Sequence, residues 1–289
     1  MLHSAHAPAR GVIRDYLHAW LEVMLASIDG RTSRQHYAHV KRFLWHTKIT
    51  HACQLDYRTI QSYVAYLNTQ GYAPSTVHKH FFAISNLAKY LKNLGVVERN
   101  PCTDVRLPKI QKTIVDYLTP EEVKETLALA EYCGIRLKVR TALFTGLRRA
   151  ELARLRFEDI HFTNRVLVVK GKGNKLRTIP LHEKLAGDLQ ILQRRLNRPG
   201  YVWLTNRGTP THVNHWTHAL RPLQQLMPQI TGWHIFRHTF GSILAQQGCS
   251  ITKIASWLGH TKEQLTKDFY VNLAPERYDE DILRLNLDE

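Results

Sequence analysis

The chain is poor in cysteine: Cys53, Cys102, Cys133 and Cys249 are the only four in 289 residues, and they lie far apart with no C-x-x-C pair. That excludes a disulfide framework and reads as reduced thiols in a cytosolic protein. No apolar run approaches the length of a membrane span. The first twenty residues, MLHSAHAPARGVIRDYLHAW, lack the uninterrupted apolar core of a signal peptide. A cytoplasmic location with no membrane partner is therefore expected. Internal repeats, low-complexity tracts and a phosphate-binding P-loop are all missing. Negative charge is scarce as well: 24 Asp and Glu stand against 40 Lys and Arg, for a formal net charge of +16 and a pI of about 9.8. An excess of that size points to a polyanion partner, and nucleic acid is the commonest.

What remains is ordinary for a globular chain, with 44% hydrophobic and 22% charged residues, and the length suffices for two domains. From Arg10 to Ile28 apolar residues at Val12, Tyr16, Trp20 and Val23 follow a helical period. Asp29-Gly30 punctuates it, and Thr32 or Ser33 is positioned to cap a second helix with Tyr37, Val40, Phe43 and Leu44 on its inner face. A third helix is predicted over Asp56 to Thr69 and a fourth from Pro74-Ser75 to the stop at Gly95. The start of the fourth, Ser75 to Lys79, combines hydroxyls, free backbone N–H groups and charge, which makes it the candidate DNA-facing end.

Residues 1–100 thus form a helical N-terminal domain, and 101–116, with two prolines and no period, reads as a linker. A second domain, 117–289, opens on Thr119-Pro120-Glu121-Glu122, a capping threonine with proline at the first helical position and glutamate two further on. Helices follow to Phe144. The period then changes: Ile160 and Phe162, Val166–Val169 and Leu176–Pro180 read as a small three-stranded antiparallel sheet with turns at Thr163-Asn164 and Gly171–Lys175. Helices return over His182–Leu196, Val213–Leu226, the stretch from Trp233 onward, and Asp279–Leu287. The fold class is mainly α, a helical domain followed by a mixed α+β domain.

The stretch WHIFRHTFGSILAQQGCSITKIASWLGHTKEQLTKDFY, Trp233 to Tyr270, carries two histidines, an arginine and a tyrosine on helically spaced apolar residues. His234 and His238, one turn apart, suggest a zinc pair, but the glutamate of an H-E-x-x-H helix is missing and no third ligand is evident. His212, His215 and His218 drift around their helix. No metal and no cofactor are expected.

In order along the chain, these elements resemble the tyrosine recombinases of the phage integrase family, over nearly the whole length. TGLRRAELARL at Thr145–Leu155 is similar to the family's first arginine box, and GKGNKLRTIPL at Gly171–Leu181 to its hairpin lysine. HIFRHTF at His234–Phe240 resembles the H-x-x-R box, and LGH at Leu258–His260 followed by Tyr270 resembles the last histidine and the nucleophile. STV at Ser75–Val77, NP at Asn100–Pro101 and PK at Pro108–Lys109 resemble the family's helical core-binding domain. His260 and Tyr270 are ten apart, where many Xer-type members have nine. Asp268-Phe269-Tyr270 fits the ten-residue form found among integrases.

The resemblance implies a site-specific DNA recombinase that cuts and rejoins strands through a 3′-phosphotyrosyl bond, without metal or ATP. Arg148 and Arg237 would neutralise the non-bridging phosphate oxygens with fixed guanidinium forks. Tyr270 would be the nucleophile and Lys172 would protonate the departing 5′ oxygen. His234 and His260 would bind the phosphate, one of them taking the tyrosine proton. Glu151, a turn after Arg148, would orient its surroundings. Double-stranded DNA and a homo- or hetero-tetramer on synapsed sites are the expected partners, with the helix near 279–287 docking on a neighbouring protomer. Tyr278 is the competing nucleophile, but it lies beyond the box. A catalytically silent DNA-binding regulator on this fold and a type IB topoisomerase are the other readings; all six expected groups are present, which favours the enzyme.

Overall fold

The computed structural model describes residues 11–111, 116–171 and 174–259. The chain divides into two compact units, Met1–Lys112 and Thr113–Glu289.

The first unit is built from α1 (Ile13–Ser27), α2 (Gly30–Thr47), α3 (Tyr57–Thr69) and α4 (Pro74–Asn93). Its core gathers Trp20, Phe43, Ile60, Tyr63, Leu67, Ile84, Leu87 and Leu91, all essentially without solvent contact. The buried Trp20 indole is satisfied by donating to Asn86 Oδ1 at 2.9 Å. Two expectations are corrected. The buried stripe of α1 is Ile13, Leu17, Trp20 and Met24, while Val12 and Val23 are exposed. The helix carries two overlapping apolar periods that share Trp20, and packing selects the one that begins at Ile13. The cap of α2 is Asp29, not Thr32 or Ser33. The Asp29 carboxylate accepts the Thr32 backbone N–H at 3.1 Å, and Gly30 becomes the first helical residue. An ionised carboxylate outcompetes a hydroxyl for that orphan donor.

The linker expected over 101–116 begins with a segment attached to the first unit. Cys102 is buried, and Val105 and Leu107 pack on the core. The Arg106 backbone N–H donates to Gln61 Oε1 at 2.8 Å and its carbonyl accepts from Gln61 Nε2 at 3.2 Å. His78 Nε2 bonds the Pro108 carbonyl at 2.9 Å, so this side chain of the α4 start holds protein backbone.

The second unit starts with α5 (Pro120–Tyr132), capped reciprocally by Thr119 and Glu122 as its sequence predicts. Then come α6 (Arg136–Thr145), α7 (Arg149–Arg154), and strands β1 (Ile160–His161), β2 (Val166–Lys170) and β3 (Leu176–Pro180). The strands pair antiparallel in the order β1-β2-β3, with Leu167 opposite Ile179 and Val169 opposite Arg177. Phe162 falls in the turn rather than in β1. Helices α8 (Glu183–Leu196), α9 (Val213–Leu226), α10 (Trp233–Gln246) and α11 (Ile251–Leu258) complete the described part. The helix predicted over Asp279–Leu287 lies outside the described residues.

Edge-to-face aromatic contacts run from Trp203 to Trp216, Trp233 and Phe236, and they anchor the start of α10 in the core. The His212 side chain caps α9 by accepting the Asn214 N–H, and His215 accepts the His212 N–H. Among the described residues, no three His, Cys, Asp or Glu side chains converge as metal ligands would.

Candidate active site

The short helix α11 ends at Leu258, and its last carbonyls have no intrahelical partner. Three arginines from three other elements take them. Arg177 on β3 donates through Nε to the Trp257 carbonyl at 2.7 Å. Arg237 on α10 donates through Nη2 to the Leu258 carbonyl at 2.5 Å. Arg148, at the N-cap of α7, donates through Nη2 to the Gly259 carbonyl at 3.0 Å. The negative end of the helix dipole adds to the attraction.

Two left-handed glycines make this arrangement possible. Gly146 closes α6 at φ +60°, and its carbonyl accepts from Arg237 Nη1 at 2.7 Å. A Cβ there would meet Phe240 Cδ1 at 2.6 Å and Leu258 Cδ2 at 2.7 Å. Gly259 closes α11 at φ +64°, and a Cβ there would press on the Arg177 side chain from 3.0 Å. Each position needs glycine both for its backbone angle and for space.

Glu151 is the anion that balances the cluster. Its carboxylate receives Arg177 through both forks, Nη1 to Oε1 at 3.0 Å and Nη2 to Oε2 at 2.8 Å. It also receives the backbone N–H of Arg148 at 2.7 Å and the Arg148 Nη1 at 3.0 Å. Burial pushes the Glu151 carboxyl up, but hydrogen bonds and charge from Arg177, with Arg148, outweigh it and hold the group below its ordinary value. Glu151 and Arg177 are almost closed off from solvent, whereas the Arg148 side chain keeps 34% of its surface exposed. An open cavity of about 730 Å³ beside it is lined in part by Arg148, Arg154, Arg156 and Lys170, with Glu151 and Asp159 as its acidic members.

His234, in the first turn of α10, joins the same cluster. Burial lowers its basicity, and the charges of Arg237, Arg149 and Arg148 lower it further, against a smaller opposing effect of Glu151. Both effects favour the neutral imidazole, which can donate one N–H. His238, one turn on, is depressed to about 4, chiefly by burial and then by His234 and Arg237.

Of the residues predicted to form the site, Arg148 and Arg237 are brought together on adjacent carbonyls, and His234 lies within reach of their charges. Lys172, His260 and Tyr270 lie outside the described residues; His260 directly follows Gly259, whose carbonyl Arg148 holds. Arg177 belongs to none of the motif positions given a role above. Its signal in the sequence is strand alternation, which puts it on the same face as the buried Ile179. An arginine on an inward face requires a buried acceptor.

The arrangement presents one arginine buried at 4% exposure and one partly open arginine on a helix end, with a histidine of lowered basicity within reach of their charges. Fixed cationic donors without a local excess of carboxylate suit an anion with several oxygens, such as a phosphodiester.

Known proteins resemble this chain in both sequence and fold. Residues 116–277 match the phage integrase family and residues 19–107 the phage integrase SAM-like domain. The integrase of Escherichia phage P2 is 31% identical over 83% of this chain and 68% of its own length. The tyrosine recombinase XerA of Pyrococcus furiosus is 30% identical over 78% of this chain and 79% of its own. Among solved structures, the Tn1549 transposon integrase in complex with transposon right-end DNA superposes with a TM-score of 0.76 at 18% identity, covering 95% of this chain and 99% of that one. A lambda integrase tetramer bound to a Holliday junction gives 0.74 at 17% identity, over 91% and 82%. On its sequence matches, the chain belongs to the phage integrase family.

Proposed function

We propose that this chain is a site-specific DNA recombinase that cleaves and reseals double-stranded DNA through a 3′-phosphotyrosyl intermediate. The observation that supports this most is that Arg148 and Arg237 bond the carbonyls of Gly259 and Leu258, directly before His260, with His234 within reach of their charges. Arg148 and Arg237 hold the two non-bridging oxygens of the scissile phosphate and stabilise the charge that builds on them in the pentavalent state. Tyr270 Oη attacks phosphorus, the P–O5′ bond breaks, and the 5′ oxygen leaves with a proton from Lys172. His234 and His260 hydrogen-bond the phosphate, and one of them accepts the tyrosine proton. The phosphotyrosyl bond retains the phosphodiester energy, so a 5′ hydroxyl of a partner strand reverses the same steps and reseals the DNA.

Residues 1–100, with the attached segment through Pro108, act as the core-binding domain, the remainder of 101–116 as the linker and 117–289 as the catalytic domain. The positive charge of the chain serves the DNA backbone. The active assembly is a homo- or hetero-tetramer on synapsed sites; a lambda integrase of similar fold is a tetramer bound to a Holliday junction. The protein works in the cytoplasm. DNA trapped covalently on the chain and sequenced identifies the cognate site. A nicked suicide substrate carrying that site then tests the function: a covalent adduct lost on Tyr270→Phe supports it, and no adduct on a bound cognate site contradicts it.

A further inference from the structure

We propose that Arg177 is a positioning residue for strand cleavage: by engaging both Glu151 oxygens it keeps the Arg148 guanidinium from closing a two-pronged fork on that carboxylate, which leaves the remaining Arg148 N–H donors for the phosphate. This rests on the function proposed above. The Arg177 side chain is 8% exposed and makes three directed bonds, two to Glu151 and one to the Trp257 carbonyl. Glu151 lies 10% exposed between two guanidinium groups with unequal claims on it. Arg177 engages both of its oxygens side-on, whereas the Arg148 side chain gives it one N–H and turns Nη2 to the Gly259 carbonyl.

Removing Arg177 would leave a buried carboxylate with Arg148 as the guanidinium left to neutralise it. An unpaired buried charge is costly, so Arg148 would rotate onto Glu151 to form the fork that Arg177 now makes. The cation meant for the phosphate would then face the protein. Lysine cannot replace arginine here, because a point charge does not span both carboxylate oxygens and a backbone carbonyl at once.

The test uses the full chain and two suicide substrates, one with the native scissile phosphate and one with a methylphosphonate there. The methylphosphonate carries no negative charge, so it has little need of Arg148. With the native phosphate, Arg177→Ala and Arg177→Lys should each slow single-turnover cleavage about 10- to 100-fold, the range for a misplaced charge-stabilising donor. DNA affinity should stay within about threefold, since the many other phosphate contacts are untouched. On the methylphosphonate, each variant should cleave within about threefold of wild type, because the lost electrostatic stabilisation no longer matters.

A smaller population of folded enzyme would slow both substrates equally, so equal deficits overturn the proposal, as does unchanged cleavage of the phosphate. If Arg177→Ala fails to fold, Arg177→Lys decides by the same criteria. If wild type itself forms no adduct on either substrate, the recombinase reading fails and this proposal fails with it.

Discussion

Arg237 Nη2 donates to the Leu258 carbonyl at 2.5 Å, the middle one of three consecutive carbonyls held by three arginines from different parts of the second unit. The bond connects α10, which also carries His234, to the end of α11. Its partner Nη1 on the Gly146 carbonyl connects both to the turn that introduces Arg148. One buried guanidinium thereby fixes the spacing of three motif segments that are remote in sequence, before any DNA arrives. Preorganised donors of this kind avoid reorganisation during the reaction.

Glu151 should be the most sensitive charge in that cluster. Glu151→Ala leaves two arginines without their carboxylate and is expected to cost about 3–5 kcal/mol in urea unfolding at pH 7. Glu151→Gln, which retains acceptor and shape, should cost less. The folded carboxyl ionises below its unfolded value, so its contribution is present above the unfolded value and is lost as pH falls through the folded one. The gap between wild type and Glu151→Gln should therefore close on acidification below pH 4.5.

Two glycines with similar backbone angles separate strain from crowding. Gly134 sits at φ +66° with nothing within 4 Å of a new Cβ, while Gly146 sits at φ +60° with side-chain atoms at 2.6 and 2.7 Å. Gly134→Ala should lower stability by about 1 kcal/mol through the backbone alone. Gly146→Ala should lose about 1–3 kcal/mol more from overpacking. Comparing their thermal midpoints checks the difference.

His80 makes the first unit acid-sensitive. Its ring is buried against the Tyr63 hydroxyl at 3.0 Å and the His39 ring at 4.0 Å. Burial above all, with His39 and Arg42, brings it from 6.5 to about 4. The native state then binds fewer protons than the unfolded chain, so stability is full above pH 6.5 and falls as pH drops towards 4, by about 3 kcal/mol at most. His80→Gln, which can still bond Tyr63, should unfold with a shallower dependence on pH over that interval. An unchanged slope would rule the histidine out as the cause.

Lys79 stands exposed in the first turns of α4, beside the exposed Ser75. If that helix start meets the DNA backbone, Lys79→Ala should reduce the dependence of log affinity on log salt by about one phosphate contact. Unchanged affinity and slope would place the backbone contact elsewhere.

Local patterning made much of the fold legible. The Thr119–Glu122 capping box and the limits of α9 follow from residues within one or two turns of each other. The phase of α1 was not legible, because two apolar stripes compete there and only tertiary packing chooses between them. Arg148, His234 and Arg237 stand out by motif. The role of Arg177 depends on β3 meeting α7, a contact between residues 26 apart that no periodicity encodes. The Asp29 cap was hidden for a smaller reason: Asp-Gly signals a turn as readily as a helix start.

The measurement that tests the mechanism most directly is the identity of the residue that carries the DNA. Trypsin cuts after Lys267 and Arg277, so Tyr270 lies in the peptide Asp268–Arg277 and Tyr278 in the next one. Mass spectrometry of the nuclease-trimmed suicide adduct should find the nucleotide on Asp268–Arg277, at Tyr270. A nucleotide on the peptide that begins at Tyr278, or on any other residue, would contradict the proposed mechanism.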